Sequence, residues 1–185
     1  MPTFKHINGY DELAQALRAF PEKFTASAMR GGLRAGGTIM ADEVRRTAPV
    51  GPPSTANAKN YGGRLGLLRD SVRIRTSLRG GWVKATITAG GKVKGGGDAF
   101  YALMVEYGTR AHIILSKKGG SLYINGFFAS MVNHPGATAR PFMRPALLSK
   151  ADATLTGTGE YIRRRLQARD ISSLDAVEFK VEDVA

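Results

Sequence analysis

Val72-Arg73-Ile74-Arg75-Thr76-Ser77-Leu78-Arg79, then Gly80-Gly81, then Trp82-Val83-Lys84-Ala85-Thr86-Ile87-Thr88-Ala89, is the stretch whose reading decides the fold class. Val72, Ile74, Thr76 and Leu78 alternate with Arg73, Arg75, Ser77 and Arg79, the period of a half-buried strand with a basic outer face. A Gly-Gly pair between two such runs is a two-residue hairpin signal. The return strand places Val83, Ala85, Ile87 and Ala89 on one face and Trp82, Lys84, Thr86 and Thr88 on the other. A hairpin with one apolar face needs a cover, and the flanking segments supply helical patterns.

On the N-terminal side, residues 10–20 read as a short helix, with Asn8 as its cap and Asp11 and Glu12 in its first turn. Pro21 opens a second helix over 21–47. Phe24, Ala28, Ala35 and Ile39 form one apolar stripe of it, and Met29, Leu33, Met40 and Val44 form the neighbouring one. Gly31, Gly32, Gly36 and Gly37 interrupt this helix at about 1 kcal/mol each relative to Ala, tolerable where another element packs closely. Ala48-Pro49 ends it. Residues 50–63 are a loop, and 65–71 make one or two helical turns.

On the C-terminal side, residues 90–98 read as a flexible loop carrying Lys92 and Lys94. Residues 99–107 form a short helix, stopped by Gly108 in a left-handed conformation. Strands are expected at 113–115 and 122–124, around Lys118-Gly119-Gly120, and at 129–132, with a turn at 133–136. A second long helix spans 141 to about 169, and 177–181 is a final strand or an interaction tail. The expected class is α+β: an antiparallel β-sheet with two long helices packed on one face of it, with extended loops and hairpins. Residues 1–150 are read as one domain. Residues 151–185 are its C-terminal helix and tail, either part of the same domain or an interaction arm.

Of 185 residues, 43% are apolar, enough for a core; the 23 glycines, many paired, predict long mobile loops around it. There is no Cys, which excludes disulfides and thiolate metal sites. The longest apolar run, 99–105, is far short of a membrane span, and the first residues lack a signal-peptide pattern, so folding in a bacterial or host cytoplasm is expected. The net charge of +12 predicts an acidic partner: nucleic acid, an anionic surface or an acidic protein. Its densest run, Arg163-Arg164-Arg165, reads as a solvated helix face.

Catalytic machinery is not found. His6, His112 and His134 are scattered, with no pair at helical metal-site spacing. The Gly-rich stretch 90–97 lacks the Gly-Lys-Ser/Thr ending of a phosphate-binding loop, and no Gly-x-Ser-x-Gly elbow is present. No catalytic, cofactor or metal residue is assigned. One acid is odd: Glu106 lies near the end of its short helix, where the helix dipole disfavours negative charge. It wants a cation, and Arg110 is the nearest in sequence.

Four segments occur in order: Ala48-Pro49 closing a long helix; Gly63-Arg64-Leu65 with Leu68-Arg69-Asp70-Ser71-Val72; Tyr101-Ala102-Leu103-Met104-Val105-Glu106-Tyr107-Gly108-Thr109; and Ala139-Arg140-Pro141-Phe142-Met143-Arg144-Pro145-Ala146-Leu147. Together they resemble the phage tail-component family named after gene product ten of the HK ninety-seven siphophage, over roughly residues 25 to 150. Gly62 stands where the family shows Thr, and the stretches 50–63 and 110–139 are extended, the latter long enough for an extra hairpin. The resemblance implies a structural virion protein and no enzyme: a ring of six copies at the head-proximal end of the tail. Its neighbours there would be the tail terminator or tube protein on one side and the head connector or stopper on the other. The family motif residues in this chain are Tyr101, Val105, Glu106, Tyr107, Gly108, Thr109, Pro141, Phe142, Pro145 and Ala146.

The charge offers a second class, a basic nucleic-acid-binding protein of phage or prophage origin, compatible with the first where packaged DNA passes through the ring. Contacts with DNA or an acidic partner are expected at Arg73, Arg75, Arg79, Lys92 and Lys94. No helix-turn-helix, zinc-finger or RNA-recognition signature supports a dedicated reader of bases.

Overall fold

The computed structural model describes residues 4–51, 65–116, 120–124, 126–169, 179 and 181–184. Among these the chain order is β1 (Phe4–Ile7), α1 (Tyr10–Arg18), α2 (Glu22–Thr47), α3 (Leu67–Asp70), β2 (Arg73–Arg79), β3 (Trp82–Thr88), α4 (Ala102–Tyr107), β4 (His112–Leu115), β5 (Leu122–Ile124), β6 (Phe127–Ala129), β7 (Met131–His134), α5 (Met143–Gln167) and β8 (Val181–Val184). The α+β class holds, with two long helices packed against antiparallel strands. The strands pair as separate two-stranded ribbons, β1 with β8, β2 with β3, β4 with β7 and β5 with β6, and not as one continuous sheet. The hairpin is as read: Arg79 faces Trp82 across Gly80 and Gly81, whose φ values of 55° and 79° suit a two-residue turn.

The scaffold is the pairing of α2 with α5, and the α2 glycines cause it. A Cβ at Gly32 would lie 2.6 Å from the Ile162 side chain, and one at Gly36 would overlap the Thr154 carbonyl oxygen. Glycine brings the two backbones together, and van der Waals contact along the seam offsets the lost helix propensity. The buried face of α2 is therefore Ala28, Gly32, Gly36, Gly37, Ala41 and Val44. The apolar stripe expected through Ala35 and Ile39 is not that face; Ile39 is exposed. Met29, Leu33 and Met40, the other stripe, are only partly covered.

Two cores lie along this pair. Leu13 and Leu17 of α1 bury with Ala28, Ile162, Leu166 and Phe179. At the other end, Ala41, Val44 and Ala48 bury with Leu67, Leu68, Val72, Ala99, Ala102, Phe142 and Ala146, and Ile74 and Ile87 of the hairpin lean on them. Helix α5 runs unbroken across position 150, and its second half is buried through Ile162 and Leu166.

Several local expectations are corrected. Gly9 with φ 87°, not Asn8, occupies the cap position of α1, and no side chain caps it. Residues 90–98 are not a loose loop: Ala99 N–H donates to Gly91 O at 3.0 Å and Val93 N–H to Gly97 O at 3.0 Å, a compact turn closed by the Lys92–Asp98 bridge. The glycine clusters are thus partly helix packing and partly tight turns. Gly62, Gly63, Gly119, Lys118 and most of the 177–181 stretch lie outside the described residues. No helix among the described residues is long and apolar enough to cross a membrane.

Candidate functional site

Glu106 holds the molecule's most specific polar arrangement. Its Oε2 accepts the backbone N–H groups of Phe142 at 2.7 Å and Met143 at 2.9 Å, and its Oε1 accepts that of Arg144 at 3.1 Å. These open α5. A helix leaves its first four N–H groups without intrahelical partners. Here one carboxylate takes three, and the fourth position is Pro145, which has no N–H. The expected cation, Arg110, is not the partner; the positive end of α5 is, with Arg144 adding its charge. Burial pushes the Glu106 carboxyl up, but the three N–H groups and Arg144 outweigh this and hold it below its ordinary value. The sequence could not show this partnership, because 36 residues separate Glu106 from Phe142.

The other motif residues complete the joint. Phe142 is 1% exposed and packs among residues of α2 and α3. Thr47 Oγ1, unremarked in the sequence, donates to Phe142 O at 3.1 Å. Ala146 follows one turn on, fully buried, while Pro141 and Pro145 are exposed. Arg140 N–H donates to Val105 O at 2.7 Å, and Thr109 exchanges two backbone bonds with Ala137. Tyr101 stands at the first position before α4, partly buried, and makes no side-chain cap bond. Leu103 and Tyr107 are both more than 60% exposed, and α4 buries Ala102 and Glu106 instead. A second missed residue is Ser71. Its buried hydroxyl donates to Leu68 O at 2.6 Å and accepts Gly90 N–H at 2.8 Å, tying α3 to the end of the hairpin.

Gly108 has φ 73° as expected but ψ −177°, so it is extended rather than left-handed helical, in a region only glycine occupies readily. A Cβ there would lie 2.6 Å from Ala137 O. Gly108→Val is expected to cost about 1–3 kcal/mol from backbone strain alone. A wild-type melting curve for that variant would show that the backbone can relax.

From this joint a ribbon leaves the body. Strand β4 pairs with β7 from His112↔His134 to Leu115↔Met131, and β5 pairs with β6 from Leu122↔Ala129 to Ile124↔Phe127. The extra hairpin anticipated within 110–139 is present, but β4 pairs with β7, not β5. Tyr123, Phe127 and Phe128 near its tip are 67, 77 and 74% exposed. At its base the register stacks His112 and His134, ring centroids 5.0 Å apart, a pairing that sequence distance concealed. Among the described residues no third His, Cys, Asp or Glu joins them to make a metal set.

The basic residues divide. Arg73 does not reach outward: its guanidinium donates to Gly90 O at 2.8 Å and to Lys92 O at 3.3 Å, pinning the 90–98 turn. Arg75 and Arg79 are on the outer face of the hairpin, with Lys84 and the 81%-exposed Trp82. Lys92 and Lys94 sit on the neighbouring turn.

A family model described as "Bacteriophage HK97-gp10, putative tail-component" matches residues 11–108, more than half of the chain. The chain belongs to this family. It is a phage tail component, a structural class and not an enzyme type. The matched range begins at α1 and ends at Gly108, where the ribbon leaves the body, so the Pro141–Leu147 motif rests on the Glu106 geometry. No curated protein and no solved structure matches the chain significantly.

Proposed function

We propose that this tail component is a subunit of a ring at the head-proximal end of the phage tail, completing the tail and joining it to the head connector. The observation that carries the reading is the apolar ribbon, held at its base by Gly108, the Thr109–Ala137 pair and Glu106, with its large side chains uncovered. An exposed apolar surface on a rigid base suits a subunit that is completed by neighbours. The partners are other copies of the chain, a tail terminator or tube protein, and a head connector or stopper. The motif residues Tyr101 to Thr109 and Pro141, Phe142, Pro145 and Ala146 serve as structural joint, and the outer hairpin face with Arg75, Arg79, Lys92 and Lys94 serves as contact surface. A phage lacking this chain should accumulate filled heads and separate tails. A labelled subunit should appear at the neck in electron micrographs; label at the distal tip or along the tube would sink the reading.

The basic hairpin face supports a second contact, with an acidic neighbour or with passing DNA. The double substitution Arg75→Glu with Arg79→Glu should leave the fold intact, because both side chains project from the surface, yet abolish head–tail joining in an assembly assay. DNA contact would be with phosphates, so log affinity should fall against log salt with a slope of about −0.9 per phosphate and be blind to sequence. Undetectable DNA binding at low salt, together with failed joining, assigns the face to an acidic protein.

A further inference from the structure

The second surface left uncovered is a groove of ≈1130 Å³ floored by α2 and α5 and walled by β3 and α4. Met29, Leu33 and Met40, the stripe of α2 that α5 does not cover, line it with Leu103, Leu147 and Leu155. We propose that the ribbon's paired strands, β4 with β7 and β5 with β6, of one copy insert into this groove on a second copy, head to tail.

Four observations select that occupant. The first is shape. Tyr123 and Phe128 face each other across the ribbon, ring centroids 5.1 Å apart, and therefore share a face. Phe127, next along the strand, points to the opposite face. A wedge that is apolar on both sides fits a cleft that embraces it better than a flat surface. The second is area. An aromatic side chain offers about 150–250 Å², so the three exposed rings leave roughly 300–550 Å² uncovered. Ile113, Leu115 and Met131, each more than half exposed, bring the ribbon toward the ~800 Å² per partner of a specific interface.

The third is charge. Two copies with a net charge of +12 repel unless they meet where charge is absent. The paired strands of the ribbon, β4 to β7, carry no Asp, Glu, Lys or Arg; its two lysines, Lys117 and Lys118, fall in the sequence between β4 and β5. The groove lining has only Glu106, already engaged by α5, and Arg144, which stands over the Tyr107 ring. An acidic partner would find nothing to pair with there; a second copy's ribbon would. The fourth is direction. Gly136, with φ 88°, and Gly108 fix the ribbon's base through close backbone contacts, and the ribbon's tip is exposed while the groove is open. The ribbon does not fill its own groove.

Ribbon and groove are different surfaces, so the contact is heterologous, and repeated contacts of that kind close into a ring or run on as a filament. The inference rests on the ring reading for closure, though not for the contact itself.

The test uses the full chain with two variants. Phe127→Ser with Phe128→Ser removes the wedge, and Leu103→Lys with Leu147→Lys charges the groove mouth. All four side chains are at least half exposed, so thermal melts should match wild type. Sedimentation at high micromolar concentration should show wild type as a multimer and each variant as a monomer. An equimolar mixture of the two variants should give a heterodimer and nothing larger, because only one intact ribbon and one intact groove remain to meet. A wild type that is monomeric, a variant that keeps the wild-type size, or a mixture that stays monomeric would each overturn the ribbon–groove contact. A wild type that stops at a reciprocal pair would retain the contact and remove the ring; a ring that persists in both variants would do the reverse.

Discussion

Phe142→Ala is expected to lower the unfolding free energy by about 3–5 kcal/mol, the cost of emptying a fully buried aromatic site. The ring is 1% exposed among Ala41, Val44, Ala48, Leu67, Leu68 and Val72, contributed by two separate stretches of chain. None of these can close the void without moving α2 or α3, so the cost should sit in the upper part of that range. The main-chain bonds of residue 142, to Glu106 and from Thr47, survive the substitution and separate packing from capping. In a chain of this length the thermal midpoint should fall by roughly 6–20 °C. Phe142→Leu, which refills part of the volume, should fall between wild type and alanine. A Phe142→Ala protein within about 1 kcal/mol of wild type in urea unfolding would mean that the α5 start is not anchored through this side chain.

Local period made much of the scaffold legible. The hairpin was readable because alternation and a Gly-Gly turn are both local properties, and the register Arg73↔Thr88 to Arg79↔Trp82 follows from them. The α2 glycines were readable as a close approach, but what approached them was not. Periodicity reports that a face is covered; it does not name the cover. Helix α4 shows the cost of ranking by hydrophobicity over so short a span. At six residues its buried positions are one turn apart, Ala102 and Glu106, while Leu103 and Tyr107 point to solvent. The pairing of β4 with β7, the His112–His134 stack and the Glu106–α5 contact depend on segments meeting over 16 to 38 residues, which no local signal encodes. The family resemblance placed the two motifs in the right order, and the geometry explains why they go together: one supplies the carboxylate, the other the helix start that needs it.

Glu106→Ala should therefore cost about 2–4 kcal/mol, far more than a surface acid, because it strips three N–H groups at a helix start of a charged acceptor. Glu106→Gln, which keeps the shape and one acceptor oxygen, should cost less and isolate the charge. The pH dependence has a definite sign. The carboxyl is held below its ordinary value in the folded chain, so the folded state favours the ionised form and gains stability from it above the unfolded value. That gain is lost as pH falls through the ordinary glutamate range, about 4.3, and on to the lowered folded value. Wild type should thus exceed Glu106→Gln in urea midpoint at neutral pH, and the gap should narrow in acid. Arg110→Ala should stay within about 0.5 kcal/mol of wild type, since the residue is exposed and helix α5 holds the carboxylate. A gap between wild type and Glu106→Gln that does not change with pH would show that the charge is idle, and a large Arg110 effect would restore the ion pair read from sequence. Because Val105 O and Gly108 flank Glu106 and lead directly into the ribbon, Glu106→Ala should also loosen the ribbon's base. Hydrogen exchange at Thr109 and Ala137 should rise in that variant while exchange in the β2–β3 hairpin stays unchanged.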